Sequence, residues 1–328
     1  MTWQLLMHAH TFARIETALK PYRSQLVPLI INDEAELKHP WGKTVADRAI
    51  AYGTQDAYSS PAALQFFQTL LGLEPLDWFQ SSAAGTEHPV LQSVGRKAKY
   101  YTASHAQSEA IAEWVLWAGL DHFQQGPARR AAQARSEWAR LSFRELSTTH
   151  WLILGFGHIG EASAARLKAL GARVTGVRRR GGVSELADAV ITPDQMPSLL
   201  SEVDAVLLCL PHTPETEKIA NADFFSRLAP GSLFVNVGRG ALVDEVALLA
   251  ALDSKQVGHA ALDVFETEPL PAESPFWGHP RVTLTAHIAA QSESAKIRTD
   301  AVFLENLENF LAERPLRHHI PMAAFATE

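Results

Sequence analysis

Between His150 and His287 the chain arranges its apolar residues in blocks. The runs "HWLILG", "ARVTGV", "DAVLLCLP", "GSLFVNV", "HAALDVF" and "VTLTAHI" are short and continuously apolar, and segments such as 159–170, 215–228 and 244–254, with apolar residues at helical spacing, separate them. A strand without polar alternation is buried on both faces, which predicts a parallel sheet covered by helices on each side. The expected fold is α/β, a Rossmann-type doubly wound sheet. Residues 1–100 carry a less regular pattern. "LVPLII", "RAIAYG" and "LDWFQSSAAG" are apolar runs among turn residues, with the helical "SPAALQFFQTLLGL" between them, and they predict a small α/β unit of low regularity. From Ser104, "SHAQSEAIAEWVLWAGLDHF" reads as a long, mostly buried helix; the polar arm "QQGPARRAAQARSEWARLSFRELSTTH" that follows is expected to protrude or to meet a partner. A helix over 291–313 returns the chain to its beginning. The expected organisation is a dinucleotide-binding domain over 103–289, inserted in a smaller α/β substrate-binding domain formed by 1–102 and 290–328.

Composition narrows the function. At 328 residues the chain exceeds what one ordinary core supports, and 47% hydrophobic with 20% charged residues is usual for a soluble globular protein. A net charge of -7 argues against nucleic acid as the main partner and leaves room for a small anion held by local cations. The single cysteine, Cys209, excludes an intrachain disulfide and makes a thiolate metal site implausible. "MTWQLLMHAHTF" lacks a basic leader and a small-residue cleavage site, and no apolar run approaches membrane-spanning length, so a cytoplasmic protein with no membrane partner is expected. His8, His10, His318 and His319 stand near the termini in no ligand spacing. They read as solvated, and no metal is expected.

The stretch "LGFGHIGEASAARLKALG" places Gly155, Gly157 and Gly160 between an apolar strand and a helix that ends at Gly171. In that context the glycines serve a tight turn, close approach of a pyrophosphate, and close packing of helix on strand, with the helix N-terminus facing phosphate. The next strand ends at Val177. An acid there would bind the ribose hydroxyls of NAD; the residues present are Arg178, Arg179 and Arg180. A guanidinium offers paired donors to a phosphate and little to a bare ribose, which tilts the expectation to NADP(H) over NAD(H). The alternative is a solvated basic turn.

In an open parallel sheet ligands bind beyond the carboxyl ends of the strands. There the sequence sets Pro211, His212 and Thr213; Gly238, Arg239 and Gly240; Asp263, Glu266 and Glu268; and His287. Reduction of a 2-oxo acid needs a cation that binds the carboxylate and polarises the ketone, and an acid for the forming alkoxide. Arg239 suits the first task. An imidazole whose affinity for protons a carboxylate raises, His287 with Glu268, suits the second.

These stretches, together with "LPHTPET", "FVNVGRGALVDEVALLAAL", "ALDVFETEPLP" and "HPRVTLTAHIAA", resemble the D-isomer-specific 2-hydroxyacid dehydrogenases over about residues 150–290. The resemblance implies that Arg239, Glu268 and His287 are the catalytic set: His287 protonates the substrate oxygen, Glu268 holds and charges the imidazole, and Arg239 binds the 2-oxo acid. It implies cofactor contacts from Gly155, Gly157, His158, Ile159, Gly160, Arg178, Arg179, Pro211, His212, Thr216 and Val237, with Asp263 against the nicotinamide. "SSAAGTEHP" is similar to the family's substrate loop, which maps the carboxylate-binding amides to Ala83, Ala84 and Gly85, and puts Glu87 where the family usually has Asp. The substrate site is then expected between the two domains, with hinges near 101–105 and 288–292. Arg178 in place of an acid, and "LPAESPFWGHPRVTLTAHIAA", are similar to the NADPH-dependent glyoxylate/hydroxypyruvate reductase branch.

The expected activity is NADP-dependent reduction of a small 2-oxo acid, in a homodimer formed through the arm 121–150. A non-catalytic dinucleotide-sensing protein on the same fold is the alternative, disfavoured by the complete Arg239, Glu268 and His287 set. A 3-hydroxyacid dehydrogenase would carry its glycine turn at the N-terminus. Trp138, in the arm, is expected either to reach a partner's active site or to anchor the arm.

Overall fold

An interior strand of the first sheet, β1 (Trp3–His8), is followed by α1 (Ala9–Leu19), β2 (Leu26–Ile31), β3 (Leu37–Lys38), β4 (Arg48–Gly53), α2 (Gln55–Tyr58), α3 (Ala63–Gly72), β5 (Leu76–Ser81), α4 (Pro89–Lys97) and β6 (Tyr100–Ala103). Then come α5 (Ser108–Phe123), α6 (Gly126–Ala134), β7 (His150–Leu154), α7 (His158–Ala169), β8 (Arg173–Val177), β9 (Ala189–Ile191), β10 (Ala205–Leu208) and α8 (Ala222–Arg227). The chain continues through β11 (Ser232–Asn236), α9 (Glu245–Asp253), β12 (Val257–Leu262), β13 (Val282–Leu284), α10 (Glu293–Leu311) and β14 (His319–Ile320). This is a computed structural model, and it describes residues 1–83 and 85–325. Two units result, Met1–Gln107 with Ser292–Glu328, and Ser108–Gln291.

The second unit holds a sheet in the order β9-β8-β7-β10-β11-β12-β13, parallel at every pairing. Period-two alternation sorts its apolar residues to two cores. Leu152, Leu154, Val206, Leu208, Phe234 and Leu262 pack on one face, and Trp151, Ile153, Leu207, Leu233, Val235 and Ala261 on the other. The first unit repeats this plan with β1, β2, β4, β5 and β6 parallel and the short β3 and β14 antiparallel at its edges. It is therefore far more regular than its sequence pattern suggests. Its strands are again buried on both faces, Leu5 and Met7 against one core and Leu6 against the other.

Helix α10 belongs to this first unit because its side chains are built into it. Phe303 stacks on Tyr52 with ring centroids 4.1 Å apart and on Trp78 at 5.3 Å. Asp300, buried, accepts from Tyr52 Oη at 2.9 Å and from Arg14 Nε at 2.8 Å. Arg298 Nε donates to the carbonyl of Ala106 at 3.0 Å, and Ser104 N donates to Ser81 O at 2.9 Å, so the residues after β6 stay with this sheet.

Expectation and structure part in three further places. Over 215–228 only Ala222–Arg227 is helical. The preceding residues form turns, because the Thr216 hydroxyl accepts from Thr213 N at 2.8 Å and Lys218 turns left-handed (φ 48°) to donate its N–H to Ala241 O. The polar arm contains α6, tied back where Arg130 Nη2 meets Asp121 Oδ2 at 2.9 Å. His8 is not solvated: it is 1% exposed at the end of β1, with Nε2 3.3 Å from Asp33. His10, with its side chain 66% exposed, is solvated as expected.

Candidate active site

All the chemistry-bearing residues of the second unit follow its strands at one edge. The strand order reverses between β7 and β10, and the turn after each lies at that switch point, where open α/β sheets take their ligands. Gly155 has φ 102°, and a Cβ there would lie 2.6 Å from Cys209 O, so the two turns meet backbone to backbone. A Cβ on Gly160 would lie 2.5 Å from Gly155 O, so this position must be bare for α7 to start against the turn. At Gly157 a Cβ would meet nothing, and Gly157 supplies no side-chain cap for α7. The helix α7 thus begins, with exposed His158 and half-buried Ile159, at a glycine that offers no side chain of its own to the helix N-terminus, a fit for an anionic phosphate.

After β10, Pro211 is exposed and His212 Nε2 is buried with no hydrogen-bond partner among the described residues. An orphaned buried ring nitrogen beside the switch point suits a ligand that completes it. Thr216 shapes this turn, its hydroxyl donating to Pro211 O at 2.8 Å.

Arg178 leaves β8 into a tight turn closed by Gly181 N donating to Arg178 O at 3.1 Å. The arginines therefore do not alternate as they would in an extended strand. Arg178 Nε donates to Gly181 O at 2.6 Å, which lays the guanidinium along the turn, and its two Nη groups have no partner among the described residues. Arg179 and Arg180 are exposed. The Thr213 hydroxyl first, and the Arg179 charge after it, help to hold the carboxyl of Glu215 below its ordinary range, so Arg179 faces the 211–217 turn.

Arg239 follows β11. Asn236, 1% exposed, shapes its turn by accepting from Gly238 N and donating to Arg239 O, both at 3.0 Å, and Val237 is buried beneath. After β13, His287 sits left-handed at φ 55°, an uncommon state for a non-glycine residue. Asp263 accounts for it. This carboxylate, 3% exposed, accepts from the Thr285 hydroxyl, from Ile288 N at 2.9 Å and from Ala289 N at 3.0 Å, while its carbonyl takes His287 N at 2.8 Å. Those bonds leave Asp263 a holder of the His287 segment, where the resemblance implies a nicotinamide contact.

His287 Nδ1 is 2.7 Å from Glu268 Oε2, and Glu268 Oε1 accepts from Phe265 N at 3.0 Å. The hydrogen bond to Glu268, opposed by burial and by Arg239 and aided by the Glu268 and Asp263 charges, raises the pKa of His287 above its ordinary value. Burial pushes Glu268 up, but His287, the Phe265 amide and Arg239 outweigh it and leave the carboxyl below its usual range. The pair thus favours an imidazolium against a carboxylate, and the Arg239 charge acts on both. Gly85, half-buried, follows β5 in the first unit beside Ala83, whose N–H donates to Ser81 Oγ at 3.0 Å; Ala84 lies outside the described residues.

Residues 116–289 match the family model for the D-isomer specific 2-hydroxyacid dehydrogenase, NAD binding domain. The chain belongs to this family. Over 187 residues, 56% of this chain and 58% of the other, it is 38% identical to the glyoxylate/hydroxypyruvate reductase A of Serratia proteamaculans (strain 568). The match thus spans little more than half the length of that curated relative. Over 259 residues, 76% of this chain and 84% of the other, it is 30% identical to an uncharacterized protein of Corynebacterium melassecola from the proB 3' region. Two solved structures match almost end to end. One is a D-isomer specific 2-hydroxyacid dehydrogenase from Xanthobacter autotrophicus Py2 in complex with NADPH and MES (26% identical, TM-score 0.78, 99% of both chains). The other is an NADPH-dependent glyoxylate/hydroxypyruvate reductase from Sinorhizobium meliloti in complex with NADP and sulfate (26%, 0.77, 99% of this chain and 100% of that one).

Sequence reasoning in this family finds Arg239, Glu268 and His287 but passes over Asn236 and Thr285, which hold their turns. The only signal for them is a polar residue ending or following an apolar strand.

Replacing Glu268 by Gln tests the electrostatics without substrate. The carboxylate favours imidazolium, so its loss lowers the His287 pKa, and the ring surrenders its proton at lower pH. Nuclear magnetic resonance titration of the His287 ring should show a midpoint below that of the wild type. An unchanged midpoint would show that Glu268 does not charge it.

Proposed function

We propose that this chain is an NADPH-dependent 2-hydroxyacid dehydrogenase that works mainly as a reductase of a small 2-oxo acid of the glyoxylate or hydroxypyruvate kind. The observation that carries this reading is the Glu268–His287 pair at 2.7 Å, whose hydrogen bond raises the proton affinity of the imidazole, on the same sheet edge as the glycine turn. A binding protein that only senses the dinucleotide needs no such proton donor, which disfavours that alternative.

Gly155, Gly157 and Gly160, with the first amides of α7, His158 and Ile159, would hold the pyrophosphate. Pro211, His212, Thr216 and Val237 would line the path to the nicotinamide, behind which Asp263 fixes the backbone. When bound, the reduced nicotinamide supplies a hydride to the carbonyl carbon. Arg239 binds the substrate carboxylate and polarises the ketone, His287 passes a proton to the carbonyl oxygen, and Glu268 keeps the ring protonated and oriented. Arg178, with Nη groups unengaged, holds the 2'-phosphate that distinguishes NADPH, and Arg179 adds charge nearby. The NADPH and NADP named for the Xanthobacter and Sinorhizobium structures support this assignment.

His287→Ala should lower turnover for 2-oxo acid reduction by about 10²–10⁴-fold with NADPH affinity nearly kept, because general acid catalysis supplies a factor of that order. Turnover at the wild-type rate would remove His287 from the mechanism. Arg178→Asp takes away charge-assisted hydrogen bonds worth about 1.5–3 kcal/mol each and sets an anion beside the phosphate, so the ratio of kcat/KM with NADPH to that with NADH should fall at least ~10-fold. A ratio that stays put would make the arginine turn a solvated one. For assembly, the arm bears Trp138, 92% exposed, and half-exposed Phe143, which favours a homodimer through this segment. Light scattering should give twice the chain mass at micromolar concentration, and a monomer there would rule the dimer out.

A further inference from the structure

We infer that Glu245 is a positioning residue whose carboxylate grips the Phe265–Glu266 peptide and so sets the turn from which Glu268 reaches His287. Glu245 is the first residue of α9, but the helix does not need it as a cap. Asp244 already fills that place, its Oδ1 accepting from Ala247 N at 3.1 Å. Glu245 Oε1 instead accepts from Glu266 N at 2.8 Å, across from its own helix. The opposite side of the same peptide is closed by Gly240. A Cβ there would stand 1.8 Å from Phe265 C, 2.0 Å from Phe265 O and 2.2 Å from Glu266 N, so the glycine backbone lies directly on it. One peptide is thus held between two residues of the segment that begins with Arg239.

The peptide matters because of what hangs from it. Phe265 N donates to Glu268 Oε1 at 3.0 Å, and Glu268 Oε2 meets His287 Nδ1 at 2.7 Å. A displacement at Glu266 therefore passes through Phe265 to one carboxylate oxygen and alters the bond that the other makes to the imidazole. Charges of both signs act on Glu245. Glu266 faces it, and Lys218 Nζ lies 3.7 Å from Glu266 Oε1. Burial, then the Glu266 charge, raises the Glu245 carboxyl above its usual range, against the pull of the Glu266 amide and Lys218. His287 faces Glu268, Asp263 and Arg239.

The test compares Glu245→Ala with Glu245→Gln in the full chain. Only the glutamine keeps an oxygen that can accept from Glu266 N. The first readout, nuclear magnetic resonance titration of the His287 ring in the free protein, requires neither cofactor nor substrate. Alanine should lower the His287 midpoint by about half a unit or more, a threefold or larger loss of proton affinity, and glutamine should stay closer to wild type than to alanine. The second is the pH profile of 2-oxo acid reduction, which rests on the function proposed above. Its alkaline limb should move to lower pH in Glu245→Ala, with kcat falling more than the KM for the 2-oxo acid changes. Thermal unfolding verifies folding, and Glu245→Asp, which draws the acceptor back by a methylene, replaces alanine if that variant does not fold. A His287 midpoint in the folded variant equal to the wild-type value overturns the inference, and so does glutamine matching alanine. A midpoint that moves in a protein without reductase activity would uphold the positioning and defeat the function.

Discussion

A carboxylate buried at the end of a parallel strand must find donors or lose much of its charge, and Asp263 finds them all in the segment that follows the neighbouring strand. Its oxygens take the Thr285 hydroxyl and the amides of Ile288 and Ala289, so the backbone around His287 has little choice of path. The left-handed φ of 55° at His287 is the conformation this bonding requires. An unpartnered buried amide costs roughly 1–3 kcal/mol, and the bonds to Asp263 spare two of them, more than enough to offset an unfavourable dihedral. The imidazole therefore points where the strand end and a buried acid direct it, before any ligand arrives.

Orientation alone would leave an ordinary imidazole. The proton-holding form comes from a balance in which no single charge dominates: Glu268 and Asp263 favour imidazolium, while burial and Arg239 oppose it. Arg239 acts on Glu268 as well, adding to the His287 bond, the Phe265 amide and the His287 charge that together outweigh burial and hold its carboxyl below the usual range. The arginine thus lowers the proton affinity of both members of the pair, and the short hydrogen bond between them decides the outcome. Such a balance depends on tenths of an ångström, which is why Asn236, Gly240 and Glu245 matter although none is placed in contact with substrate.

Much of this was legible in the sequence, and the physical reasons differ by element. The doubly wound sheet could be read because strands buried on both faces show as unbroken apolar runs, and the glycine turn because Gly155 and Gly160 occupy positions where a Cβ would strike backbone. The first unit was harder. β1 carries Gln4 among apolar residues and passes directly into α1, so neither alternation nor a turn marks it, though it lies inside its sheet between β4 and β2. The false helix over 215–221 came from spacing alone; a threonine hydroxyl bonding its local backbone outweighs a periodic pattern that has no partner surface. Burial of His8 follows from its place at the end of an interior strand, where it stands beside Ile31 of β2, a neighbourhood across the fold that local pattern does not contain. Thr285, Glu245 and the bonding role of Asp263 are hidden for the same reason. Their bonds join residues distant in sequence, and only the strand order brings them together.

That strand order also divides the labour of the edge. The glycine turn, Arg178 and His212 follow β7, β8 and β10, whereas Arg239, Glu268 and His287 follow β11, β12 and β13. With neighbouring strands about 4.8 Å apart, β8 and β13 stand on the order of 24 Å from each other, well beyond a Debye length of about 8 Å at physiological salt. The arginine turn proposed for the 2'-phosphate is thus electrostatically remote from the His287 imidazole. A parallel sheet forces this separation, since each strand delivers one turn to the edge and the turns cannot cross. In the proposed function, choice of dinucleotide and supply of the proton are consequently set by different strands, and a change in the residue after β8 leaves intact the carboxylate network around His287.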